Sequence, residues 1–103
     1  MRIALGQLDM VWENADASID RAETLIKQAA KAAAECIIFP EMSFTGVTLN
    51  TAKVAEDPKD SRTVQRMKEL AKSYNLAIGF GWAASPEGEE KLVTNRFSLL
   101  DKE

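Results

Sequence analysis

The feature that most restricts this chain is a change of hydrophobic period near residue 35. Between residues 17 and 34, apolar side chains fall at 19, 22, 26, 29 and 33, with Leu25 beside them. Steps of three and four put them on one helical face. The other face carries Asp20, Arg21, Glu23, Lys27 and Lys31, acidic residues early and lysines late, as the helix dipole favours. Alanines in the second half raise helix propensity and let the helix lie close to a sheet. Directly afterwards, Cys36-Ile37-Ile38-Phe39 is continuously apolar, the pattern of a strand buried on both faces. Pro40 has no N–H for a ladder and ends it. A one-sided helix feeding a two-sided strand restricts the fold to the α/β class, with helices crossing between parallel strands.

The rest of the chain fits that frame. Residues 2–8 read as a first strand, bounded by Asp9, with a connecting loop at 11–14. Asn14 or Asp16 is placed to cap the first helix. Residues 42–59 read as a long loop, with Gly46 as a turn and Pro58 near the end. A loop of that length in a compact domain is more often functional than a mere connector. Asp60 or Ser61 caps a second helix at 62–74, with Val64, Met67, Leu70, Ala71 and Tyr74 as its buried stripe. Asn75 tolerates the left-handed backbone that ends helices. Residues 76–84 form a strand, 86–90 a polar hairpin turn, and 91–100 the last strand. The order is β-α-β-α-β-β, and the helices are expected on one face of the sheet, leaving the other apolar.

Composition excludes several function classes. The 103 residues suit one small domain. Net charge is -3, with 13 basic and 16 acidic residues well mixed, which speaks against a nucleic-acid or anionic-membrane surface. No apolar run approaches the ~20 residues of a membrane span. The N-terminus lacks a signal-peptide pattern. The single cysteine, Cys36, cannot form an internal disulfide, so a cytoplasmic location is expected. There is no histidine, hence no Ser-His-Asp triad, Cys-His pair or His-ligated zinc within the chain.

Glu41 stands out by position. Proline after a buried strand turns the chain outward at the strand's carboxyl end, where open α/β sheets bind ligands. A carboxylate on the rim of an apolar strand is expected to be partly desolvated, which favours its neutral form, and such a group can accept a proton near neutral pH. From the strand-Pro-Glu pattern alone, a loop glutamate capping a nearby N–H is the favoured reading.

The resemblance of the whole chain alters that weighing. Arg2-Ile3-Ala4-Leu5-Gly6-Gln7-Leu8 resembles the opening strand of the nitrilase, or carbon–nitrogen hydrolase, superfamily. Cys36-Ile37-Ile38-Phe39-Pro40-Glu41-Met42-Ser43-Phe44-Thr45-Gly46 is similar to the family's apolar strand, Phe-Pro-Glu and following Thr-Gly. Leu70-Ala71-Lys72 and Thr94-Asn95 resemble later family segments. The resemblance implies a four-layer α-β-β-α sandwich, of which residues 1–103 would be the N-terminal half of one incomplete domain. It implies hydrolysis of a small non-peptide amide or nitrile by a Glu-Lys-Cys triad. Glu41 takes the general-base role, and the lysine and cysteine lie beyond Glu103. No metal or organic cofactor is implied, and family members often form homodimers.

Other residues draw blander readings. Cys36 lies five positions before Glu41, about 16 Å along an extended strand, and reads as a buried structural cysteine rather than a nucleophile. Lys102 sits in a polar turn and reads as solvated, as do Lys53, Lys59 and Lys91. Trp12 and Trp82 read as packing residues. Ser43, Phe44 and Thr45 are candidate substrate-pocket residues, with loop packing weighed about equally. Asn95 reads as holding a neighbouring backbone. Two rival functions remain open: a metal-dependent phosphoesterase of the same layer order, with Glu41 binding Mg²⁺, and a non-catalytic α/β binding module complete at this length.

Overall fold

The computed structural model describes residues 1–88 and 91–103. Its elements are β1 (Ile3–Leu5), α1 (Ala15–Lys31), β2 (Cys36–Ile38), α2 (Thr51–Val54), α3 (Arg62–Tyr74), β3 (Ala77–Ala84) and β4 (Thr94–Leu100). They form one four-stranded sheet in the order β1-β2-β3-β4. β1, β2 and β3 run parallel, and β4 returns antiparallel to β3. The mixed α/β class and the β-α-β-α-β-β order are as expected, with α2 as an addition.

The caps show why the helices begin and end where they do. Asn14, not Asp16, caps α1, its side chain accepting from the Ala17 N–H at 3.1 Å. The helix stops at Lys31, three residues before the expected end at 34. Ala33 adopts φ +60°, and the Ala33 and Ala34 N–H groups donate back to the Ala30 and Ala29 carbonyls at 3.1 and 3.0 Å. This is a Schellman ending with alanine where glycine is usual. Ser61, not Asp60, caps α3, accepting from the Val64 N–H at 3.1 Å. The Glu56 carboxylate supplements it by accepting from the Thr63 N–H at 2.9 Å and the Ser61 hydroxyl at 2.8 Å. Asn75 closes α3 with φ +56°.

Helices α1 and α3 cover one sheet face. Ile37, Ile78, Phe80, Trp82 and Ala84 from the sheet join Ile19, Ala22, Ile26, Met67 and Ala71 from the helices in one buried cluster. Each Ile, Phe or Met side chain among them contributes about 1.5–3 kcal/mol of transfer free energy, and each alanine methyl about 0.8 kcal/mol. The two helices are clasped at their edges by Tyr74 Oη donating to Glu23 at 2.8 Å and by the Arg66–Asp20 ion pair at 2.9 Å.

The opposite face is open over β1, β2 and the start of β3, whereas Met42 and Val54 bury Ala83 in a small second cluster near the end of β3. The register places Ile3, Cys36 and Ala77 in one row and Leu5, Ile38, Gly79 and Leu99 in the next. Ile3, Leu5, Phe97 and Leu99 are 50%, 79%, 57% and 64% exposed. β2 is therefore buried on one face only. Ile37 is enclosed, whereas Cys36 and Ile38 are half-buried, which corrects the doubly buried strand and the buried cysteine expected from the apolar run. Burial against its neighbours still pushes the Cys36 thiol pKa up.

Other strand boundaries differ. β1 is shorter than residues 2–8, although the Gly6 N–H still donates to the Ile38 carbonyl at 2.8 Å. β4 starts at Thr94 rather than Lys91. The expected turn at 86–90 falls partly on residues 89 and 90, outside the described residues. The loop at 42–59 is not featureless. It contains α2, and Glu56 pairs with Ala84 as an isolated parallel bridge.

Candidate active site at the carboxyl end of the second strand

After Ile38 the chain parts from β1 but stays tied to β3. The Phe39 N–H donates to the Gly79 carbonyl at 2.8 Å, and the Phe39 ring turns into the helix-side core. Pro40 and Glu41 then emerge as exposed residues. A tight turn follows. Met42 takes φ +47°, and its carbonyl accepts from the Thr45 and Gly46 N–H groups at 3.3 and 3.0 Å. Gly46 itself has φ +83°, and the Trp12 ring lies over it, 2.5 Å from where a Cβ would stand.

The turn doubles back against the middle of β3. The Ser43 N–H donates to the Gly81 carbonyl at 3.1 Å. The Ser43 hydroxyl accepts from the Gly81 N–H at 2.9 Å and donates to the Pro40 carbonyl. Glu41 is thereby placed at the carboxyl ends of the parallel strands, where it lines a cleft of about 180 Å³ with Gly81, Asn95, Arg96 and Phe97. The Glu41 residue is exposed, so the desolvation expected from its rim position is not supplied by the described residues. A larger cavity, about 800 Å³, lies at the other end of the sheet near Met1, Tyr74 and Lys102. Topology, not volume, singles out the Glu41 end.

The other candidate pocket residues turn inward. Ser43 is 2% exposed and occupied by backbone partners. Phe44 is 2% exposed, its ring between those of Phe39 and Phe80 at centroid distances of 5.6 and 6.0 Å. Thr45 is 8% exposed, its hydroxyl donating to the Gly46 carbonyl at 3.1 Å. Trp82 packs in the core, its indole N–H donating to Ser98 at 2.9 Å and its ring under the Arg96 guanidinium at 5.8 Å. Trp12 is 56% exposed.

Sequence reasoning missed Gly81 and Phe97 as neighbours of Glu41. A signal for Gly81 existed, because glycine inside a strand marks close approach of another backbone. Phe97 carried none, since a strand aromatic on an alternating face looks the same wherever it lies. Among the described residues, no group of three or more His, Cys, Asp and Glu side chains is placed to hold a metal ion. Among the same residues, no helix is long and apolar enough to cross a membrane.

Comparison with known proteins gives concordant matches. The family model for carbon-nitrogen hydrolases matches residues 2–103. A bromoxynil-specific nitrilase of Klebsiella pneumoniae subsp. ozaenae is 26% identical over 96 residues, covering 80% of this chain and 28% of that enzyme. An amidase of the nitrilase superfamily from Nesterenkonia sp. AN1 superposes with a TM-score of 0.83 at 22% identity, over 99% of this chain and 39% of that one. A glutamate-to-glutamine variant of the same amidase, with acrylamide added to its active-site cysteine, matches with the same TM-score at 21% identity, over 99% of this chain and 40% of that one. An N-terminal amidase solved with a Gln-Val peptide has a TM-score of 0.79 at 17% identity, over 97% of this chain and 25% of that one. The chain thus spans 25% to 40% of the length of these relatives.

Proposed function

Since this chain belongs to the carbon–nitrogen hydrolase family, we propose that it carries the general base of an enzyme that hydrolyses a small non-peptide amide or nitrile. The base is Glu41. The observation that carries this reading is its placement: an exposed carboxylate at the carboxyl end of β2, in a cleft shared with β3 and β4. The glutamate variant of the Nesterenkonia amidase lends support, because there a glutamate was altered in an enzyme with an active-site cysteine.

The chemistry follows the Glu-Lys-Cys scheme that the resemblance implies. Glu41 takes the proton of a cysteine thiol, and the thiolate attacks the amide or nitrile carbon. A lysine stabilises the developing negative charge. From an amide, the proton on Glu41 passes to the departing ammonia or amine as the thioester forms; from a nitrile, the thioimidate formed first takes up one water and loses ammonia to reach the same thioester. Glu41 then takes a proton from the water that releases the acid and frees the thiol. On this reading residues 1–103 are the N-terminal portion of the hydrolase domain, and lysine and cysteine lie beyond Glu103. Ser43, Phe44 and Thr45 form the wall behind the base and shape the pocket from inside the core. The complete protein is proposed to act in the cytoplasm as a homodimer.

The test is Glu41→Gln in the full-length protein, measured as ammonia release from short aliphatic amides and nitriles. Loss of a positioned base lowers turnover by roughly 10²–10⁴, with kcat and kcat/KM falling together. Retained turnover in that variant refutes the assignment. The 103-residue polypeptide by itself is expected to show no such activity. Measurable hydrolysis by it, abolished by Glu41→Gln, would overturn that expectation.

A further inference from the structure

The short turn that presents Glu41 is held by one side chain and one missing side chain. Ser43 is 2% exposed and its hydroxyl bridges β3 and the turn: it accepts from the Gly81 N–H at 2.9 Å and donates to the Pro40 carbonyl. The Ser43 N–H meets the Gly81 carbonyl at 3.1 Å. Both backbone groups of Gly81 that face the turn are therefore bound to Ser43. The two residues flanked by these bonds, Glu41 and Met42, are pressed onto β3 where Gly81 has no Cβ. A Cβ there would lie 2.6 Å from the Met42 nitrogen and 3.1 Å from the Glu41 Cα.

We propose that Ser43 and Gly81 form a latch that positions the Glu41 carboxylate for catalysis. The proposal rests on the reading of Glu41 as the base. Ser43 touches no substrate and acts through Glu41. Without its hydroxyl, the Gly81 N–H loses its acceptor and the Pro40 carbonyl loses its donor. The turn is then free to lift from β3, and Glu41 moves with it. A displacement near 1 Å of a group whose geometry governs proton transfer lowers turnover by as much as about 10²-fold. Ground-state binding of substrate, which does not depend on the base, should change little.

The experiment compares Ser43→Ala with Ser18→Ala in the full-length protein. Ser18 is an equally enclosed serine, at 0% exposure, whose hydroxyl bridges the Val11 and Asn14 backbone in another part of the fold. Its loss perturbs stability through the same chemistry without touching the latch. Ammonia release from short aliphatic amides and nitriles gives kcat and KM. Backbone hydrogen exchange of the Gly81 N–H reports the latch directly. The expected result is a fall in kcat of roughly ten- to a hundredfold for Ser43→Ala, with KM within about twofold and faster exchange at Gly81. Ser18→Ala should keep its kcat and the Gly81 protection. Wild-type kcat in Ser43→Ala, or an equal loss in both variants, overturns the latch. If Glu41→Gln also keeps its activity, the base assignment has failed and the latch with it. If Glu41→Gln is inactive while Ser43→Ala is not, only the latch is wrong.

Discussion

Gly81 lies directly beneath Glu41, and the contact is backbone against backbone. A Cβ on Gly81 would stand 3.1 Å from the Glu41 Cα, 3.2 Å from its carbonyl carbon and 2.6 Å from the Met42 nitrogen. No flexible side-chain end is available to yield. Gly81→Ala must either bend β3 or lift the turn, and overpacking of this kind costs about 1–3 kcal/mol. Urea unfolding of Gly81→Ala is expected to show a lower midpoint with an unchanged slope. Gly79 provides the contrast: a Cβ there would meet the end of the Phe97 ring at 2.9 Å, and that half-exposed ring can swing away. Gly79→Ala is expected to be the milder change, and the reverse order would contradict the contact described.

The end of α1 predicts a gain. Ala33 holds φ +60° in a Schellman ending, a conformation that disfavours a residue with a Cβ by roughly 1–2 kcal/mol. Ala33→Gly removes that strain but adds freedom to the unfolded chain, so a net stabilisation of about 0.5–1 kcal/mol is expected. Thermal unfolding measures it. A lower melting temperature would show that the ending is not formed as described.

These two positions show what the sequence could and could not reveal. Helix faces and the left-handed Asn75 were legible, and each N-cap was narrowed to two candidates that included Asn14 and Ser61, because each depends on neighbours within a few positions. The α3 boundaries were read without error for the same reason. Ala33 was not legible: alanine is the strongest helix former, and only the contact of the following strand with the sheet forces the chain to turn there. The four residues of α2 are too few to show a period. At the candidate site, Glu41 stood out through Pro40 and the strand before it. Its surroundings did not, because Gly81, Asn95 and Phe97 reach it only through the strand register. The apolar run at 36–39 indicated a second layer on the open face. Half-buried Cys36 and Ile38 show a strand whose composition suits that layer while the face itself is uncovered.

The open face should be adhesive in the 103-residue polypeptide. Ile3, Leu5, Phe97 and Leu99 are all at least half exposed on one side of the sheet. Contiguous apolar patches of this kind drive association. Light scattering is expected to show concentration-dependent self-association. Phe97→Ser with Leu99→Ser should reduce it without unfolding the protein, since neither side chain is in the core cluster. A monodisperse monomer at high concentration would count against the exposed face as the cause.

Stability should also depend on pH through Glu13, which ties the loop before α1 to the loop before α2. Its carboxylate accepts from the Thr48 hydroxyl at 2.6 Å and from Lys53 at 3.1 Å. The Thr48 bond first, and then the Lys53 ammonium, hold its pKa below the ordinary value of 4.5. A carboxyl whose pKa is lower folded than unfolded binds fewer protons in the native state. Its stabilisation is therefore fully present above about pH 4.5 and is lost as pH falls through the lower folded value. Glu13→Gln removes this dependence. Urea midpoints measured from pH 6 down to about pH 3 should fall less steeply for Glu13→Gln than for the parent. Thr48→Val and Lys53→Met should each flatten the profile, because the Thr48 hydroxyl and the Lys53 ammonium both hold the pKa down. Parallel profiles for parent and Glu13→Gln would show that the Glu13 bridge does not persist in solution.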